Sequence, residues 1–565
     1  MDADVNLFDN LDRTFQAGLA RLTLGLTPAG LTEAYSSWLA HLAMSPGRLA
    51  ELASFPVTQL PDYWQSQSQP VPEANKDPRF KDERWLQWPW RFLAENFRQS
   101  ELFWQKATVG IHGLSSEYER ILSFAARQYL DALSPSNFVA SNPELIHQTL
   151  AHLGENLVQG AANALEDWRR DKTGEPPVGA EAFVLGENLA CTPGKVVFKN
   201  TLMELIHYQP RSETVKKEPV LFMPAWIMKY YILDLSEHNS MVRWLLEQGH
   251  DVYMISWKNP GSEDRNLGME DYVRDGALKA IEVAGSISGE QLHLAGYCLG
   301  GTLALLTAAF LGGKEEKPLK SLTLFAAQGD FTEAGELMLF VTPSEVAYLK
   351  NMMWAQGTLD TKQMSGAFQL LRSNDLIWSR MVHEYLMGEK PSLNDLMAWN
   401  SDATRMPYKM HSEYLEKLFL HNEFAEGRYS LFGEPLAPDD IQLPIFAVGT
   451  EKDHVAPWVS VHKVHLIGGN DVTFVLASGG HNGGIVSEPG HPHRSYHILH
   501  KAPKDPYLSP QHWLEQAPLK QGSWWQPWQQ WLSDNSSGDI PAPKNLGNRH
   551  YRAQGDAPGS YVFLK

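Results

Sequence analysis

Residues 292–306 read LHLAGYCLGGTLALL, and this stretch constrains the fold more than any other. Residues 294–312 carry no charge, and at ~18 apolar residues such a run is long enough to suggest a membrane span. Gly296, Gly300 and Gly301 break it, however. A β-compatible run precedes them and an apolar helical run follows. A buried strand, a tight turn and a buried helix account for the pattern better than one continuous helix. A strand apolar on both faces belongs inside a parallel sheet covered by helices.

The remainder of the chain agrees with that reading. Residues 1–180 read as helical, in segments such as LDRTFQAGLARLTLGL, SSEYERILSFAARQYLDAL and NPELIHQTLAHLGENLVQGAANALEDWRR. Turn signals separate them at 45–47, 70–80 and 134–138, and the polar stretch RRDKTGEPPVGAE at 169–181 marks the boundary. Beyond it, short β-rich runs fall at 195–198, 203–208, 219–223, 251–256, 291–295, 320–326, 444–448 and 472–477. Amphipathic helices alternate with several of them. In DYVRDGALKAIEVAGSI, Val273, Ala277, Ile281 and Ala284 share a face. The expected class is therefore α/β, with a catalytic domain over 181–565. The alternation stops between 327 and 443, too long a stretch for a loop, and this predicts an inserted helical cap. Near the C-terminal end, Trp524, Trp528 and Trp531 fall at i, i+4 and i+7, a spacing that suits core packing.

Composition removes several functions. The net charge of −18 argues against nucleic acid as the main partner. Two cysteines, Cys191 and Cys298, give no disulfide framework, and the N-terminus has no basic segment followed by an apolar run. A cytoplasmic location is expected, with no transmembrane segment.

Gly296-Tyr297-Cys298-Leu299-Gly300 fits the nucleophile-elbow pattern G-x-S-x-G with cysteine in place of serine. A sharp strand-to-helix turn would present the thiol, and the helix N-terminus would favour its thiolate. The Leu299 N–H would point where an oxyanion forms. In a site of this kind the acid and then the histidine follow the nucleophile in chain order. Asp453 follows the strand at 444–448, and His481 lies in the glycine-rich loop after 472–477. His481 would be the base and Asp453 its orienting partner. His454 competes for the role of base, although it sits on the acid's loop. The loop LFMPAWIMKYY supplies a second oxyanion donor, assigned to the Ile227 N–H.

The chain resembles the poly(3-hydroxyalkanoate) synthases, most closely the single-subunit class I type, over nearly its whole length. The resemblance rests on SPSNF, GENLACTPGKVVFKNTLMELIHY, PAWIMKYYILDL, GYCLGGT, LRSNDLIW, WNSDAT, GTEKDHVAPW, SGGHNGG and GSWWQPWQQWL. The chain departs from the family in Pro224-Ala225-Trp226, in Met228 before Lys229, and in Tyr297 where Phe or Ala is common. The resemblance implies an α/β-hydrolase fold and an acyltransferase. The enzyme would polymerise (R)-3-hydroxyacyl-CoA, 3-hydroxybutyryl-CoA above all, through a thioester on Cys298, releasing CoA. It implies no cofactor and no metal. Asp453 would assist the incoming hydroxyl either directly or through His481. Trp399 and Asn400 of AWNSD, with His454, are candidates to line the substrate pocket. The helical N-terminal region would serve homodimerisation and attachment to polymer granules and their associated proteins. Two alternatives remain at this stage: a cysteine thioesterase or hydrolase of the same fold, and a noncatalytic granule-coat protein.

Overall fold

The computed structural model describes residues 7–22, 27–61, 76–390 and 392–565. The first six residues and the 70–75 part of the turn signal at 70–80 lie outside them. Contacts divide the chain into two compact units. One holds Met1–Arg21, Ala180–Thr361 and Asn394–Lys565, and the other Leu22–Gly179 and Lys362–Leu393.

The first unit is built on an 11-stranded sheet. In chain order its strands are β1 (Gly194–Lys199), β2 (Met203–Tyr208), β3 (Val220–Met223), β4 (Val252–Trp257), β5 (Leu292–Tyr297) and β6 (Leu319–Phe325). They continue with β7 (Ile445–Thr450), β8 (Val472–Ala477), β9 (Ser495–Lys501), β10 (Leu519–Gln521) and β11 (Gly555–Asp556). The spatial order is β10-β9-β8-β7-β6-β5-β3-β4-β2-β1-β11. The six strands from β8 to β4 run parallel, and both flanks are antiparallel. Every residue of β4, β5, β7 and β8 is buried, as expected where helices cover both faces.

The 294–312 stretch divides as its glycines require, into the end of β5 and a helix over Leu299–Gly312 that is buried from Leu299 to Ala309. Among the described residues, no helix is long and apolar enough to cross a membrane. Chain order reverses beside β3: β4 lies on one side of it and β5 on the other. In parallel sheets such a reversal opens a crevice at the carboxyl ends of the strands. The helix before β5 contains a π turn at Tyr272–Leu278, and Val273, Ala277, Ile281 and Ala284 are all buried. Trp524, Trp525 and Trp528 lie in the core.

The second unit is helical. One apolar cluster joins Ala34, Leu42, Leu52, Ala107, Ile111, Leu114 and Leu122. The run NPELIHQTLAHLGENLVQ is not one helix: Leu153 (φ 50) and Gly154 (φ 85) take left-handed conformations and separate Pro143–Ala151 from Glu155–Thr173. Two segments cross the boundary at 180. Residues 362–393 pack in the helical unit, where Val382 and Met387 join Leu145. There Asn156 and Asn163 donate to the carbonyls of Leu386 (2.8 Å) and Glu384 (3.0 Å). The helix at Leu7–Leu22 has its contacts in the sheet unit: Asn351 donates to Gln16 (2.6 Å), and Arg13 lies over the Trp354 ring.

Candidate active site

Cys298 stands between β5 and the helix Leu299–Gly312, with φ 53 and ψ −123. A left-handed backbone is rare for a residue with a Cβ, and it persists only where the surroundings enforce it. Three hydrogen bonds do so here. The Cys298 N–H donates to the Phe325 carbonyl (2.9 Å), and its own carbonyl accepts from Gly301 (2.9 Å) and Thr302 (3.2 Å). The flanking glycines let helix and strands close up. A Cβ on Gly296 would stand 2.5 Å from the Gly301 Cα, and one on Gly300 would stand 2.1 Å from the Met223 carbonyl oxygen. The same close approach seats the loop that leaves β3 beside the start of the helix.

Asp453 lies in the turn after β7, with its side chain fully buried. Its Oδ1 accepts from the N–H groups of Val455 and Ala456 (both 2.8 Å). Its Oδ2 accepts from the Thr450 hydroxyl (3.1 Å) and from His481 Nδ1 (2.8 Å). Burial works to raise this carboxyl's pKa, but His481 and the two backbone donors outweigh it and hold the group below its usual value. For His481 the balance runs the other way. Burial disfavours the charged ring, yet the charges of Asp453 and Cys298 and the hydrogen bond to Asp453 hold its pKa well above the ordinary histidine value. With Nδ1 donating to Asp453, Nε2 is left to meet Cys298.

The loop that carries His481 is tied down on several sides. The indole N–H groups of Trp524 and Trp525 donate to the carbonyls of Gly484 (2.8 Å) and Ile485 (2.9 Å). The Tyr297 hydroxyl donates to Asn482 Oδ1 (2.6 Å), and its ring lies tilted against His481 at 5.7 Å. The tryptophan cluster is thus a core element that also anchors the histidine loop.

The other expected residues are distributed as follows. Leu299 opens the helix, so no intrahelical carbonyl serves its N–H. Ile227 is half-buried in the loop after β3. Trp399 is a core residue whose indole donates to the Lys229 carbonyl (2.8 Å). Asn400 is exposed at a helix end, and His454 is exposed on the Asp453 turn. Sequence reasoning passed over Tyr414, a half-buried residue between 327 and 443. Its hydroxyl pKa is pushed up by burial and then by the charge of Cys298. Phe331, Phe419 and His411 surround its ring. No motif marks Tyr414 among the many aromatic residues of that stretch. Among the described residues, no group of three or more His, Cys, Asp or Glu side chains is placed to hold a metal ion.

An imidazole hydrogen-bonded to a buried carboxylate and electrostatically coupled to a thiol can shuttle a proton while sulfur forms and releases an acyl bond. Three family models match the chain. One, described as the N-terminus of poly-beta-hydroxybutyrate polymerase (PhaC), spans 76–245; a second N-terminal model of the same polymerase spans 6–48; and the alpha/beta hydrolase fold spans 218–485. The chain is 38% identical over 500 residues to the poly(3-hydroxyalkanoate) polymerase subunit PhaC of Rhizobium etli, covering 87% of this chain and 78% of that one. It is 34% identical over 539 residues to the corresponding subunit of Cupriavidus necator, covering 93% and 90%. It is also 35% identical over 503 residues to poly(3-hydroxyalkanoate) polymerase 2 of Ectopseudomonas oleovorans, covering 88% of each. The sheet has the α/β-hydrolase arrangement, and the chain belongs to the poly(3-hydroxyalkanoate) polymerase family.

Proposed function

We propose that this enzyme is an acyltransferase that polymerises (R)-3-hydroxyacyl-CoA, with 3-hydroxybutyryl-CoA as the expected monomer. Cys298 Sγ attacks the thioester carbonyl, with the N–H groups of Leu299 and Ile227 receiving the oxyanion. The bond to CoA sulfur breaks, and the leaving thiol takes a proton from His481. Exchanging one thioester for another is nearly balanced in energy, which suits repeated loading. In the second half-reaction His481 takes the proton of a 3-hydroxyl. That oxygen attacks the acyl carbonyl on Cys298, an ester forms, and the sulfur is released. Each addition yields one ester bond and one free CoA.

The observation that carries this reading is His481 hydrogen-bonded to the buried Asp453 (2.8 Å) and sharing its electrostatics with Cys298, which sits at a strained elbow. Asp453 acts through His481 in this scheme. Each of its oxygens already has two donors, and its side chain is closed to solvent. Tyr414, Phe331 and Phe419 form an aromatic cluster that includes part of the segment read as a cap, and an apolar cover of this kind favours a hydroxyl over water as the acceptor. Homodimerisation, a cytoplasmic location and attachment to granules belong to the same reading. Exposed apolar side chains of the helical unit, Leu150, Leu153, Val158, Leu165 and Trp168, offer a surface suited to a polyester.

Purified protein incubated with (R)-3-hydroxybutyryl-CoA is expected to release CoA and deposit insoluble polymer. Stoichiometric soluble 3-hydroxybutyrate would instead establish a thioesterase.

A further inference from the structure

The loop after β3 is held by its carbonyls. The Trp257 indole donates to the Pro224 carbonyl (2.8 Å) and the Trp399 indole to that of Lys229 (2.8 Å). Between them, the Thr404 hydroxyl donates to the Trp226 carbonyl (2.5 Å), and the Thr404 N–H donates to the Ile227 carbonyl (3.2 Å). Ala403 forms an isolated bridge with Met228. Residues 402–405 are fixed in turn. Asp402 accepts from the Tyr231 hydroxyl (3.0 Å) and from Lys565 (2.9 Å), and Arg405 donates to Asn259 (3.0 Å) and to the Pro260 carbonyl (2.8 Å).

One of these bonds has a consequence set by the peptide group itself. The Trp226 carbonyl and the Ile227 N–H belong to the same planar trans unit, in which they point in opposite directions. A donor that pins the carbonyl therefore also aims the N–H. The Ile227 N–H has no acceptor among the described residues. Trp226 and Thr404 are both buried, so the pin is shielded from water. An oxyanion donor contributes only when it is aimed before charge develops, which is what such a pin provides.

We infer that Thr404 is a positioning residue for the reaction: its hydroxyl holds the Trp226 carbonyl so that the Ile227 N–H faces the carbonyl oxygen of an acyl group on Cys298. The inference rests on the polymerase reading and on Ile227 as the oxyanion donor. It takes Thr404 beyond a packing role and gives the WNSDAT segment a function 178 residues away from the loop it orients.

The test compares Thr404→Val with Thr404→Ser. Valine keeps the shape and the backbone N–H but removes the hydroxyl donor; serine keeps the donor. CoA release from (R)-3-hydroxybutyryl-CoA is followed as kcat and KM. For Thr404→Val, kcat is expected to fall about ten- to hundredfold, part of what loss of an oxyanion donor costs. KM should stay within about twofold, since the donor acts in the transition state. Thr404→Ser should recover most of the activity. Thr404→Ala removes the same donor with less crowding and is read in the same way if the valine variant does not fold. A folded hydroxyl-less variant with wild-type kcat overturns the inference, as does an equal loss in the serine variant or a change confined to KM. Wild-type enzyme that releases no CoA overturns the polymerase reading and this inference with it. An active wild type beside an unaffected Thr404→Val overturns the inference alone.

Discussion

Asp453→Asn replaces one carboxylate oxygen with an amide nitrogen, and the surrounding donors determine which one. Oδ1 receives two backbone N–H groups at 2.8 Å that cannot reverse polarity. An amide NH2 placed there would face two donors, so the amide oxygen takes that position. The NH2 group then points at His481 Nδ1, where Oδ2 now accepts at 2.8 Å. The Thr450 hydroxyl can rotate to accept, and it raises no objection to this orientation. His481 must answer by accepting at Nδ1, which moves its proton to Nε2. That ring can no longer take a proton from Cys298. It also loses the charge that helps raise its pKa. A wrong tautomer of this kind costs about 10³–10⁴ in rate, or roughly 4–5 kcal/mol of transition-state stabilisation. The assay is rapid-mixing CoA release, which separates the first acylation of Cys298 from later turnovers. Both phases are expected to slow by that factor. A wild-type first phase with elongation alone abolished would refute the reasoning, because it would place Asp453 on the incoming hydroxyl rather than behind His481.

Two further perturbations follow. Tyr297→Phe removes the hydroxyl bond to Asn482 and keeps the ring beside His481, so kcat should fall about fivefold, the equivalent of one ordinary hydrogen bond, with the thermal midpoint little changed; an unchanged kcat would show that the histidine loop holds its place without it. His462 has both ring nitrogens without a hydrogen-bond partner among the described residues and lies against Phe474 and Trp513, and burial pushes its pKa down to about 3. The unfolded chain therefore binds a proton below about pH 6.5 that the folded one refuses, and stability falls as pH drops through that range. His462→Phe should remove roughly 2 kcal/mol of the loss between pH 7 and pH 5, read by chemical denaturation at the two pH values; an identical pH dependence in both proteins would contradict this account of the buried ring.

What could be read in the sequence was what local sterics enforce. Gly296, Gly300 and Gly301 are needed because a Cβ on any of them would stand 2.1–2.5 Å from a neighbouring atom (the Gly301 Cα, the Met223 carbonyl oxygen and the Ala327 Cβ), and that need is visible as a spacing. Strands buried on both faces announce themselves as apolar runs, so β2 to β8 were all visible, and the partly buried β1 showed through its Val196-Val197-Phe198 run. The flanking strand β9, SYHILHK, mixes polar and apolar residues and is only partly buried, and every residue of β10 is exposed; neither carried a signal. The break at Leu153 and Gly154 was hidden because a glycine inside a helical pattern costs only about 1 kcal/mol and does not by itself declare an end. The packing of 362–393 in the helical unit depends on Asn156 and Asn163 reaching carbonyls more than two hundred residues away. Thr404 was illegible for the same reason. Its partner is a backbone carbonyl, which leaves no trace in the identity of residue 226.

The central claim is that the growing chain is carried on the sulfur of Cys298. Enzyme quenched in acid during turnover with (R)-3-hydroxybutyryl-CoA, then digested and read by peptide mass, tests it directly. The account requires hydroxybutyryl units, one or more, on the peptide containing Cys298, released by hydroxylamine and absent from Cys298→Ala. The second thiol, Cys191, serves as an internal control, since burial raises its pKa and leaves it less reactive. Acyl mass on Cys191 or on a hydroxyl elsewhere, or polymer made at the wild-type rate by Cys298→Ala, would contradict the account.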